Sequence, residues 1–211
     1  SLYEHFPADI AESLAVDNAI TFYVAGHETT ANALAWTIYL LAAQPALQEE
    51  ARAEALAALT GDVSALADRL PLLRMILEES MRLYPPAPRF DREAVADDQI
   101  GNIQIKKGEL MSIWPWVIHR HRKLWTNPDA FDHTRFSPEK KAGMHRFQYI
   151  PFGAGPRVCV GMRFAVTEAL VILAHWLAAR RFEIPPGFQP DPVSSVTLRP
   201  RGGMPLIVRP L

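Results

Sequence analysis

Residues 152–161 read Phe152-Gly153-Ala154-Gly155-Pro156-Arg157-Val158-Cys159-Val160-Gly161. Three glycines and a proline in ten residues predict a bent loop, and a helical period resumes directly after it. Cys159, the only cysteine of the chain, falls where that helix starts. Backbone N–H groups and the helix dipole favour an anionic sulfur there. Gly153, Gly155 and Gly161 let the backbone approach a flat ligand closely. Arg157 offers charge-assisted hydrogen bonds to a carboxylate. Against this stands the ordinary reading of a lone cysteine as a small buried hydrophobe. The rest of the chain has to decide between ligand and filler.

Upstream, residues from about Asp9 to Ala43 form a proline-free stretch rich in Ala and Leu. Its length predicts a helix well beyond the average of about 11–12 residues. Inside it lies Ala25-Gly26-His27-Glu28-Thr29-Thr30. Ala25 and Thr29 share a face one turn apart, and the Thr29 hydroxyl is expected to bond back to the Ala25 carbonyl. Gly26 costs about 1 kcal/mol against Ala. Glu28 and two threonines in an apolar stretch require partners.

Pro45–Leu59 predicts an amphipathic surface helix, and Leu70–Leu83 another that closes on Tyr84-Pro85-Pro86. The second contains Glu79-Ser80-Met81-Arg82, whose charges meet on one face at i, i+3. Glu49-Glu50-Ala51-Arg52 satisfies the same pattern. It lies on a charged helix and reads as a solvated pair worth a few tenths of a kcal/mol. Downstream, Ile100–Met111 alternates around Lys107-Gly108 and predicts a hairpin. Trp114–Trp125 holds a short helix, and Asn127–Ile150 reads as a long functional loop. From Val160 to Ala179, the residues Phe164, Ala165, Ala169, Ile172, Leu173, Trp176 and Leu177 fall on one face. Val193–Leu211 suggests two strands around Gly202-Gly203. His119 and His121, at i, i+2, do not face each other on a helix and read as surface or hydrogen-bonded histidines.

These three segments, in this order, resemble the cytochrome P450 family. The loop matches the family's heme signature, Phe-x-x-Gly-x-Arg-x-Cys-x-Gly, at every fixed position. Ala25–Thr30 is similar to the family's distal-helix segment, and Glu79/Arg82 to its Glu-x-x-Arg. The resemblance implies that Cys159 is the axial thiolate of a heme b iron (iron protoporphyrin IX), set in a loop built by Phe152, Gly153 and Gly161. It implies that Arg157, and Arg92 rather than Arg89, meet the propionates. By the same resemblance Ala25 lies at the pocket, Glu28 and Thr29 deliver protons, and Glu79 and Arg82 join Arg135 in a structural cluster. The implied activity is monooxygenation, in which dioxygen is activated and one oxygen atom enters an apolar organic substrate. Alternatives on the same fold are a heme-thiolate peroxygenase or isomerase. A non-catalytic heme-binding module is the alternative from another class.

The bulk properties agree with this. The chain has 211 residues, 49% apolar, with a formal net charge of −1. That supports a genuine core in one domain, with two allowed by length alone, and gives no electrostatic footprint for nucleic acid. A single cysteine excludes an intrachain disulfide and a zinc site of paired cysteines. Residues 1–10 carry no apolar run of a secretory signal. The longest apolar run, Ala33–Ala43, is too short for a bilayer span of ~20 residues. A soluble, cytoplasmic protein is expected, with an anchor upstream left open.

The expected fold is mainly α with small antiparallel sheets, residues 1–211 forming the C-terminal part of one domain. By the resemblance, the absent N-terminal half supplies much of the substrate pocket and of the surface for a redox partner (ferredoxin- or flavodoxin-type protein, or a reductase domain). The fragment alone is expected to be inactive, and its bare apolar surface to promote self-association. Ala25, Pro88 and Val196 are the expected pocket-facing residues.

Overall fold

The computed structural model describes residues 12–211. The expected helix start at Asp9 and the reading of residues 1–10 lie outside the described residues. Helix α1 spans Glu12–Ala42, α2 Pro45–Leu59 and α3 Pro71–Leu83. Pro45 and Pro71 stand at the first helical position, where a missing N–H costs nothing.

Four two-stranded antiparallel sheets follow the helical half. Strands β1 (Phe90–Glu93) and β4 (Leu110–Ile113) pair, as do β2 (Asp98–Ile100) and β3 (Ile103–Ile105). After short helices α4 (Pro115–Ile118) and α5 (Pro138–Ala142) comes α6, Met162–Ala179. Strand β5 (Arg180–Glu183) pairs with β8 (Ile207–Pro210), and β6 (Pro192–Ser194) with β7 (Leu198–Pro200).

Two sequence expectations need correction. The hairpin of residues 98–105 turns at Gly101, which takes φ +60°, while Gly108 (φ +85°) only leads the chain into β4. The Lys107-Gly108 turn therefore joins strands of two different sheets. Gly202-Gly203 lies between two short strands, as expected; these are β7 and β8, and each pairs with a different neighbour. On α6 the buried face is Ala169, Leu170, Leu173, Ala174 and Leu177, whereas Phe164 and Trp176 are exposed. The predicted stripe was rotated by about one residue, an easy error in a helix apolar nearly all round. That apolarity also makes α6 long and hydrophobic enough to cross a membrane by length and composition.

The core joins the second half of α1 (Leu34, Ile38, Leu41) to α2, α3 and α6. Ala51, Ala55 and Ala58 form the buried stripe of α2 against this cluster, and their small side chains permit close packing. Two polar side chains of α2 act across helices. Both carboxylate oxygens of Glu54 cap α3, accepting from the N–H groups of Leu72 (2.7 Å) and Leu73 (2.9 Å). The Gln48 amide donates to the carbonyls of Leu41 and Phe182 and accepts from the Phe182 N–H. It thereby splices β5 onto the end of α1. Trp36 is fully buried and stacks on Tyr84 with ring centres 3.9 Å apart.

α1 is thus two helices in one. From Thr30 onward it is largely covered. Before that, Leu14, Ile20, Phe22, Tyr23 and Val24 are exposed.

Candidate functional site

Phe152 packs against the core and anchors the loop. The loop then closes on itself. Gly153 N–H donates to Ile150 O (3.1 Å), and Cys159 N–H to Phe152 O (2.9 Å). Gly153 and Gly155 sit at φ +74° and +73°, positions that a side chain adopts only with strain. Arg157 ends a single 3-10 turn, Gly155–Arg157, and is exposed. Gly161 is the N-cap residue of α6. A Cβ on Gly161 would come within 3.9 Å of the Cys159 sulfur, so glycine keeps the flank of Sγ clear.

Cys159 itself is exposed, which removes the buried-hydrophobe reading. Val158, Val160, Met162 and Phe164 are exposed around it, Val160 to 84%. Among the described residues no cluster of His, Cys, Asp or Glu has the makings of a multi-residue metal site. Two open clefts lie elsewhere. One of about 530 Å³ is lined by Asn127, Asp132, Arg135 and Lys140.

On the open half of α1, the Thr29 hydroxyl donates to the Ala25 carbonyl at 2.7 Å, as the spacing predicts. Ala25 and Glu28 are exposed and Thr29 half-buried. The Glu28 carboxylate accepts from the Thr197 hydroxyl at 2.6 Å. Sequence reasoning missed this partner, because residues 28 and 197 meet only in the tertiary fold. Val196 is 83% exposed, and Pro88, expected to face a pocket, is buried in this chain. Arg92 is half-buried on β1, with its Nη1 on the Asp91 carbonyl and its guanidinium 5.1 Å from the Phe90 ring centre. Arg89 pairs with Asp91 at 3.4 Å and lies over Trp114.

The structure brings Glu79, Arg82 and Arg135 together. Arg82 makes a two-pronged bond to Glu79, Nε–Oε2 at 2.6 Å and Nη2–Oε1 at 2.8 Å, and both side chains are 0% exposed. The remaining Arg82 protons go to the carbonyls of His119, Pro128 and Ala130. Arg135 approaches Glu79 at 3.4 Å and donates to the Asn127 carbonyl. The Asp132 N–H also donates to Glu79. The cluster therefore pins the loop of residues 127–136 to α3. His119, expected as a surface or hydrogen-bonded residue, is fully buried and accepts the Ile150 N–H on Nε2 at 2.9 Å. Burial pushes its pKa down to about 3, so it is neutral and holds the base of the cysteine loop.

The family model for Cytochrome P450 matches residues 12–206. The chain belongs to the cytochrome P450 family. It is 38% identical over 209 residues to a cytokinin hydroxylase of Arabidopsis thaliana, covering 94% of this chain and 39% of that protein. It is 37% identical to cytochrome P450 714C3 of Oryza sativa subsp. japonica, covering 95% of this chain and 40% of the relative. Among solved structures, the cytochrome P450DA heme domain superposes with a TM-score of 0.88 at 34% identity, covering 96% of this chain and 46% of that one. The chain thus spans about two fifths of the length of these curated relatives.

The cytochrome P450 cofactor is heme, and the residues present fit it. The exposed Cys159 sulfur would offer the iron a single soft ligand, which suffices where a macrocycle provides the other donors. The apolar side chains beside it suit a flat, largely apolar ring.

Proposed function

We propose that this chain is the C-terminal part of a heme-thiolate monooxygenase domain, with Cys159 as the axial ligand of the iron. One observation carries the reading. The only sulfur of Cys159 is exposed at the mouth of α6, flanked by a glycine and held by a loop whose strained conformation two other glycines permit. When bound, the heme supplies redox-active iron, and thiolate ligation favours cleavage of the O–O bond of dioxygen.

The chain's own residues prepare for that chemistry. Phe152, Gly153 and Gly161 set the loop and keep Sγ clear. Arg157 and Arg92 bind the two propionates through charge-assisted hydrogen bonds. Ala25 leaves room beside α1. Glu28 and Thr29 carry protons, the carboxylate taking them from solvent and the hydroxyl passing them on, a general-acid function. Glu79, Arg82 and Arg135 brace the loop from behind. The acid–alcohol pair favours oxygen activation over peroxygenase or isomerase chemistry. The substrate is a small apolar organic molecule, electrons come from a separate redox partner or reductase domain, and the domain works in the cytoplasm.

The test is the spectrum of the reduced, carbon-monoxide-bound full-length protein. A Soret band of thiolate-ligated heme is expected, and Cys159→Ala is expected to abolish it. Survival of the band in that variant ends the ligand assignment.

A further inference from the structure

Glu28 lies on the half of α1 that this chain leaves open, yet its carboxylate is anchored. Its Oε1 accepts from Thr197 Oγ1 at 2.6 Å. Asn32, one turn further along α1, donates from Nδ2 to the same hydroxyl at 3.3 Å. A hydroxyl carries one proton, and the Asn32 amide nitrogen only donates, so the Thr197 proton is directed at Glu28.

The hydroxyl is presented by a braced backbone. Thr197 is only 8% exposed. Its carbonyl accepts from Ser195 N–H, and the next residue, Leu198, donates its N–H to Pro86 O at 2.9 Å. The indole N–H of Trp36, two turns beyond Glu28 on the same helix, donates to Leu198 O at 3.4 Å. The tip between β6 and β7 is thus fastened to α1 and to the Pro86 turn. Threonine suits the task because a branched Cβ restricts χ1 and fixes where the hydroxyl points. A glutamate on an open helix face otherwise samples many rotamers.

We propose that Thr197 is the positioning residue of the proton relay, holding the Glu28 carboxylate in one orientation from the tip of the terminal sheet. The inference rests on the reading of Glu28 as a proton carrier. It also couples two tasks. Val196, the adjacent residue of the tip, is largely exposed, so a ligand that displaces the tip displaces the anchor of the acid.

The experiment uses the full-length, heme-loaded protein. Thr197→Val removes the hydroxyl at nearly constant shape. It is expected to keep the heme and the carbon-monoxide spectrum, while the fraction of electrons recovered in product falls roughly fivefold, the factor one ordinary hydrogen bond is worth. Thr197→Ser is expected to restore most of that fraction. Thr197→Ala serves as the second hydroxyl-free variant and must behave as Thr197→Val does.

A second readout is independent of turnover. Urea midpoints of Thr197→Val, Glu28→Ala and the double variant should be non-additive, because both single changes remove the same bond. Additive midpoints, full electron recovery in either hydroxyl-free variant, or equal damage by serine and valine would each overturn the positioning role. If Glu28→Ala uncouples turnover and Thr197→Val does not, the relay stands and the anchor falls. If Glu28→Ala leaves coupling intact, the relay itself is lost.

Discussion

The chain carries the sequence Glu-x-x-Arg twice with opposite meanings. In Glu49–Arg52, on α2, the side chains are 41% and 22% exposed, and Glu49 is shared with Arg181 of β5. In Glu79–Arg82, on α3, both are 0% exposed, and five further backbone groups or charges converge on them. The spacing is the same. What differs is the next layer of structure: one pair faces water, while the other is covered by the loop it holds. Isolated charges are so costly to bury that the inner pair depends on each charge keeping the other. The outer pair operates in high dielectric, where hydrated side chains lose little by parting.

Four measurements on the full-length protein sharpen or break this contrast. Glu79→Ala should cost about 3–5 kcal/mol in urea unfolding, because it leaves the Arg82 charge buried and unpaired. Arg135→Ala, which leaves Glu79 its Arg82 partner, should cost about 1–3 kcal/mol. A loss as large as that of Glu79→Ala would mean that the cluster fails as a unit.

Acid should act next to the inner pair through His119, whose carbonyl accepts from Arg82. The folded pKa of about 3 lies below the ordinary 6.5. The unfolded chain therefore takes up a proton that the folded chain refuses. Stability is whole above about 6.5 and falls by about 1.4 kcal/mol per pH unit between there and 3. His119→Gln should flatten that part of the pH–stability profile. Last, Glu49→Ala should cost only about 0.2–1 kcal/mol and lose even that in high salt. A salt-insensitive loss above 2 kcal/mol would erase the distinction between the two pairs.

What the sequence made legible follows the same division. Local signals were read well. The bounds of α2 came from Pro45 and Thr60, the end of α3 from Pro85, and the Thr29–Ala25 bond from spacing alone. The cysteine loop was legible because its glycines and its arginine stand close together in the chain. Signals that depend on distant partners were not legible. Glu54 looked like a surface charge until α3 brought its N-terminus to it. His119 looked exposed or merely bonded until Ile150 covered it. Thr197 had no local mark at all. The small antiparallel sheets were expected, but the hairpin pairing around Lys107-Gly108 failed for a related reason: a turn is local, but the choice of pairing strand is not. Lys107-Gly108 and Gly202-Gly203 are true turns that connect strands of separate sheets.

The bond from Trp36 to Leu198 spans 162 residues. At a synthesis rate of 5–20 residues per second, its donor emerges roughly 8–30 s before its acceptor exists. A helix forms within about a microsecond once its residues are free. For nearly the whole of that interval the Trp36 indole N–H therefore lacks its acceptor, on a time scale at which chaperones and wrong partners both bind. The acceptor of the Trp36 indole arrives only with β7, and the yield of active protein should depend on how well that wait is guarded.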